Sequence, residues 1–97
     1  MKGKLVKTPF RGGMLILTHQ ELVLGEGLLG ARNIRRFPLR HLARLELRPS
    51  PSEAVLGRSV CLRFVWIDGQ ITDVDGVGPL AGERIRMLLA RLYRVAQ

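Results

Sequence analysis

Apolar and polar residues alternate in short runs through the first three quarters of the chain, and the last quarter switches to a helical period. Residues 4–10, 14–18, 21–24, 31–37, 43–48, 60–67 and 70–74 read as strands, each bounded by Gly, Pro, Asp or other polar turn residues. Pro9 ends the first or confines it to an edge. Gly12 and Gly13 supply the next turn, and His19-Gln20 suits a tight hairpin. Residues 25–30 form a glycine-rich loop carrying two exposed-looking leucines, Leu28 and Leu29. In 31–37, Arg32, Ile34 and Arg36 share one face and Asn33, Arg35 and Phe37 the other. A short helical or turn connector, 38–42, leads to a strand in which Leu45 and Leu47 alternate with Arg44, Glu46 and Arg48.

A Pro/Ser-rich loop over 49–57 divides these strands from a second group. There Val60, Leu62, Phe64 and Trp66 alternate with Cys61, Arg63, Val65 and Ile67, and Asp68-Gly69 carries a type I′ hairpin signature. Asp75-Gly76 and Gly78-Pro79 break the final strand. From Pro79, Ala81, Ile85, Leu88, Leu89, Leu92 and Ala96 mark one stripe of an amphipathic helix over 79–97. The pattern predicts a mainly β body closed by one C-terminal helix. At 97 residues it is expected to be a single domain, 1–97.

Charge is the one outlier in composition: sixteen basic residues against eight acidic ones give +8. Such a field draws in polyanions: nucleic acid, acidic proteins or anionic membranes. The apolar segments after Lys2, Lys4 and Lys7 are interrupted before an export-type core develops, so a soluble, cytoplasmic protein is expected. The lone Cys61 rules out an internal disulfide and reads as a small buried or half-buried hydrophobe.

Motifs for chemistry are sparse. Gly25-x-Gly27-x-x-Gly30 matches a dinucleotide-binding pattern, but the required crossover helix is missing, because the next residues end at Pro38 without helical periodicity. A hairpin loop is the expected role. Asp73-x-Asp75-Gly76 lacks the remaining ligands of a calcium loop, His19 and His41 have no companions at ligand spacing, and Ser50, Ser52 and Ser59 have no nucleophile elbow. No catalytic residue, metal site, cofactor or small-molecule substrate is therefore expected. Arg32, Arg35, Arg36, Arg40, Arg44 and Arg48 place six guanidinium groups in seventeen residues, a candidate phosphate-binding patch.

Gly13, Leu15, Leu17, Thr18 and Leu22 fit a G-x-L-x-L-T-x-x-x-L hairpin, and residues 37–45 (Phe-Pro-Leu-Arg-His-Leu-Ala-Arg-Leu) fit an I-P-L-x-x-I-x-x-V segment. With the Asp68-Gly69 hairpin and the last helix, these make nearly the whole chain resemble a small bacterial pleckstrin-homology-like (PH-like, GRAM-related) domain. The resemblance implies two bent antiparallel sheets, of four strands and three, packed as a seven-stranded, partly open barrel with the helix plugging one end. It also implies binding of lipid headgroups or peptides, or assembly through strand edges. Lys4, Lys7 and Arg11 fall near the family's basic hairpin, but Gly13 stands where its last arginine would be.

The expected function is a non-enzymatic interaction module that binds protein partners or itself, with Lys4, Lys7 and Arg11 facing anionic surfaces. The alternatives are nucleic-acid binding through the six arginines from Arg32 to Arg48, and peripheral attachment to an anionic membrane.

Overall fold

Leucine alternation builds the first sheet. In the computed structural model, which describes residues 3–50 and 59–93, β1 (Lys4–Phe10), β2 (Gly13–Thr18), β3 (Glu21–Glu26) and β4 (Arg32–Pro38) form an antiparallel sheet in the order β1-β2-β3-β4. Leu15 faces Leu24 and Leu17 faces Leu22 across the β2–β3 pair. All four are buried, while the alternate residues Ile16 and Val23 are half-buried on the outer face. The turn between them closes as expected at His19-Gln20, and the Thr18 hydroxyl accepts from the Gln20 and Glu21 amides.

The second sheet contains β5 (Leu42–Pro49), β6 (Val60–Trp66) and β7 (Ile71–Val77), in the order β5-β6-β7. Leu45, Leu62, Phe64, Trp66, Val74 and Val77 turn inward to meet the leucines of the first sheet. The expected four-then-three arrangement is present, and both sheets are antiparallel. Among the described residues no strand ladder joins the sheets into a closed barrel. Besides the shared core, backbone hydrogen bonds link them at two ends. The Arg11 amide donates to the Asp75 carbonyl at 2.8 Å, beside Gly76 at φ +78°. At the other end a single 3-10 turn, Leu39–His41, is held on both flanks: Leu39 N–H donates to Gln20 O, and His41 O accepts from Ile67 N–H.

Several expectations are corrected. Asp68-Gly69 is not a type I′ turn, since that turn needs positive φ at two residues and only Gly69 has it, at +88°. The Gly69 amide donates to Trp66 O and the Trp66 amide to Gln70 O, which makes a three-residue loop with a glycine bulge. Asp75-Gly76 does not break β7. The left-handed Gly76 takes up a bulge, and pairing resumes at Val60–Val77. β3 extends past Leu24 to Glu26 for a similar reason: a bulge in β4, with Asn33 at φ +48°, restores register. The loop expected over 49–57 lies outside the described residues beyond Ser50.

The helix, α1 (Pro79–Tyr93), packs on β1, β5 and β6 and so spans both sheets. Residues 94–97 of the predicted helix are outside the described residues. Its buried line is Gly82, Ile85 and Leu89, with Ala81, Leu88 and Tyr93 partly covered. Leu92, expected in the stripe, is 42% exposed. The contact line is rotated because Gly82 lets α1 approach β6: a β-carbon there would lie 2.8 Å from Val60 Cγ2. A glycine inside a helix costs about 1 kcal/mol relative to alanine, and this close approach is what it permits.

Candidate functional site

The six arginines do not form one free patch. Arg44 and Arg48 lie on the outer face of β5 and share Glu46, at 2.8 and 3.7 Å. Across that face Glu46 is in register with Arg63, and Arg63 with Asp73. Arg63 donates to both Asp73 oxygens, at 2.8 and 3.0 Å. That bond holds the Asp73 carboxyl below its ordinary range and the Arg63 guanidinium above its own. The outer face of the second sheet is thus a lattice of alternating charge, which consumes much of its attraction for phosphate. On β4, Arg36 pairs with Glu21 at 2.8 Å. Arg32, Arg35 and Arg40 enter no ion pair among the described residues.

Lys4, Lys7 and Arg11 are strung along β1 rather than gathered at its hairpin. Lys4 pairs with Thr18 at one end, and Arg11 sits in the turn at the other, roughly 23 Å apart at the rise of a strand. Lys7 heads a row, Lys7-Ile16-Val23-Arg36, that crosses the outer face of the first sheet. Its two cations therefore stand at opposite edges, about 14 Å apart at ordinary strand spacing. Arg11 lies 3.6 Å from the Asp75 carboxylate. Gly13 cannot carry a side chain: a β-carbon there would fall 1.9 Å from the Gly25 carbonyl oxygen.

The glycine motif is explained by the same crowding. A β-carbon on Gly25 would meet Gly30 O at 1.8 Å, and one on Gly30 would meet Met14 Cβ at 2.5 Å. Gly27 and Gly30 both have positive φ, the Gly30 amide donates to Gly27 O, and the Gly27 amide donates to Gly12 O in the neighbouring turn. The result is a pinned turn with Leu28 and Leu29 at its tip, 93% and 83% exposed. Arg32 lies against its base, with Nε 3.0 Å from where a Gly27 β-carbon would be. This end also carries Arg11. Both the turn and the exposure of its two leucines were legible in the sequence.

A third feature joins the sheets. Phe37 stacks on Trp66, Trp66 on Phe64, and Arg35 lies over Phe37 at 5.7 Å. An apolar cleft of about 320 Å³ opens beside the stack, lined by Phe37, Pro38, His41, Trp66, Ile67, Asp68 and Gln70. Phe64 and Trp66 belong to the core, and Trp66 Nε1 donates to Thr72 Oγ1 at 2.9 Å.

Cys61 is a free, buried thiol whose pKa is raised, chiefly by burial and then by Asp73 and Asp75. Among the described residues no three His, Cys, Asp or Glu side chains gather as a metal site, and no helix is long and apolar enough to cross a membrane. One surface escaped the sequence reading: the outward face of α1, where Leu80 is 88% and Met87 51% exposed. Their seven-residue spacing was its visible signal. No protein-family model matches the chain, and no curated protein matches it.

Proposed function

We propose that the chain is a non-enzymatic PH-like interaction module, a partly open barrel capped by α1, that settles on anionic membrane surfaces by its Leu28–Leu29 turn. The carrying observation is the exposure of two adjacent leucines, 93% and 83%, on a turn held outward by hydrogen bonds and glycine contacts. An apolar tip of this kind gains about 1.5–3 kcal/mol for each leucine it buries. Arg32 at the base of the turn supplies a cation at headgroup level, worth about 1 kcal/mol near an anionic leaflet, while Arg11 in the adjoining turn is shared with Asp75. The overall +8 charge favours the same encounter.

Strand-edge assembly draws less support. β1 carries Pro9 and a bulge, β4 a bulge and three arginines, and β5 a bulge, two arginines and Pro49, all devices that discourage edge pairing. Nucleic-acid binding through the six arginines is weakened by the ion pairs of Arg36, Arg44 and Arg48.

The test is co-sedimentation with phosphatidylcholine vesicles, with and without phosphatidylserine. Binding that needs the acidic lipid, weakens with salt and is lost in a Leu28→Ser, Leu29→Ser double variant is expected. Sedimentation that ignores phosphatidylserine, or that the double variant leaves intact, overturns the reading.

A further inference from the structure

The outward face of α1 is a second surface that the fold does not use. Leu80, Arg84, Met87 and Arg91 follow one another at steps of four, three and four residues, which puts them on one side of the helix, opposite the buried Gly82, Ile85 and Leu89. α1 is therefore apolar on two faces, although only one meets the core.

Two open clefts adjoin along this stripe. One, of about 380 Å³, lies between α1 and β1 and includes Leu5, Lys7, Leu80 and Arg84. The other, of about 390 Å³, runs down the helix and includes Leu80, Arg84, Met87, Leu88 and Arg91. Leu80 and Arg84 line both. The charge around them is mainly positive. Lys7, Arg84 and Arg91 enter no ion pair among the described residues, and the single acid present, Glu83, is held by Arg86. A surface of leucine and methionine bordered by unspent cations is complementary to a segment that alternates apolar anchors with carboxylates.

We infer that the α1–β1 face docks an acidic amphipathic helix of a partner protein. Its apolar anchors reach Leu80 and Met87, and its carboxylates meet Lys7, Arg84 and Arg91. The inference rests on the reading of the chain as an interaction module, but on a different surface from the membrane-facing turn. Leu80 and Met87 are about 10 Å apart along the axis, which an i, i+7 pair on a helix lying alongside reproduces. A second copy of this chain is a poor occupant, because it brings the same three cations to meet their own kind.

The experiment is fluorescence anisotropy of the full chain with two labelled synthetic helical peptides. One has leucines at i, i+3 and i+7 flanked by glutamates; in the other the glutamates are lysines. Binding of the Leu/Glu peptide alone is expected. Its affinity should fall about tenfold or more in an Arg84→Glu, Arg91→Glu variant, equivalent to about 1.4 kcal/mol, and similarly in Leu80→Ser, Met87→Ser. The Leu28→Ser, Leu29→Ser protein should bind the peptide as the parent does, which separates this result from loss of the membrane reading. Equal binding of both peptides, no binding of the Leu/Glu peptide, or full affinity in the charge-reversed variant overturns the proposal. So does light scattering that shows a dimer abolished by Leu80→Ser, Met87→Ser, or vesicle binding lost in that variant, since either assigns the face to another occupant.

Discussion

Phe37 stacks on Trp66 with ring centroids 5.1 Å apart and planes 11° from parallel, and this contact ties the end of β4 to β6 across the gap between the sheets. No strand ladder joins the sheets there among the described residues, and the aromatic contact works with the hydrogen bonds of the 3-10 turn to hold this corner. Phe37→Ala should cost about 2 kcal/mol, less than a fully buried phenylalanine because Phe37 is half-buried. The chain has one tryptophan, so its emission reports the site directly. A urea midpoint unchanged in Phe37→Ala, with unshifted emission, would show that the stack holds nothing together.

Trp66 is buried, and its indole N–H has Thr72 Oγ1 as its acceptor. Thr72→Val keeps the shape and removes the acceptor, leaving a donor without a partner. The expected loss is about 1–2 kcal/mol in denaturant unfolding. Thr72→Ser, which keeps the oxygen, should lose less; the reverse order would contradict the role of the bond.

Gly13 and Gly25 sit where a β-carbon would overlap a backbone carbonyl oxygen, whereas Gly69 has open space and only its positive φ to defend. Gly13→Ala and Gly25→Ala should each destabilise by about 2–3 kcal/mol, and Gly69→Ala by about 1–2 kcal/mol. Thermal melts of the three variants give the ranking. Equal melting temperatures would remove crowding as the reason for the glycine motif.

Asp73 titrates below the ordinary carboxylate range because it accepts two hydrogen bonds from Arg63. A group whose folded pKa is depressed contributes stability above its unfolded pKa, near 3.9, and loses it as pH falls through the folded value. Asp73→Asn should therefore cost at most about 1 kcal/mol at neutral pH, the scale of a partly exposed pair. The gap from the parent should close below about pH 4 and narrow in high salt. A gap that persists unchanged at pH 2 would mean that the loss is not electrostatic.

The strands were legible because their signals are local. Leu15, Leu17, Leu22 and Leu24 alternate with less buried residues, and Leu62, Phe64 and Trp66 alternate with Arg63 and Val65, so period and face follow from covalent geometry alone. Bulges were not legible. Asn33 and Gly76 take positive φ to restore a register that only the neighbouring strand defines. The Asp68-Gly69 turn failed in the same way, since one loop sequence serves two hairpin geometries and the flanking pairs choose between them.

The surface divides similarly. Sequence by itself determined the two-group order of strands, the closing helix, the excess of cations and the glycine turn with its two leucines, because each is a property of neighbours along the chain. Tertiary structure alone decided which cations are spent. Arg36 and Arg63 find their carboxylates across a sheet, and Lys7, Arg84 and Arg91 come to one face because α1 crosses β1. It also decided which side of α1 is buried, since Gly82 against Val60 sets the rotation of the helix and leaves Leu80 and Met87 in solvent. Charge pairing and helix rotation depend on distances between residues far apart in the chain, and alternation along the chain carries no record of those distances.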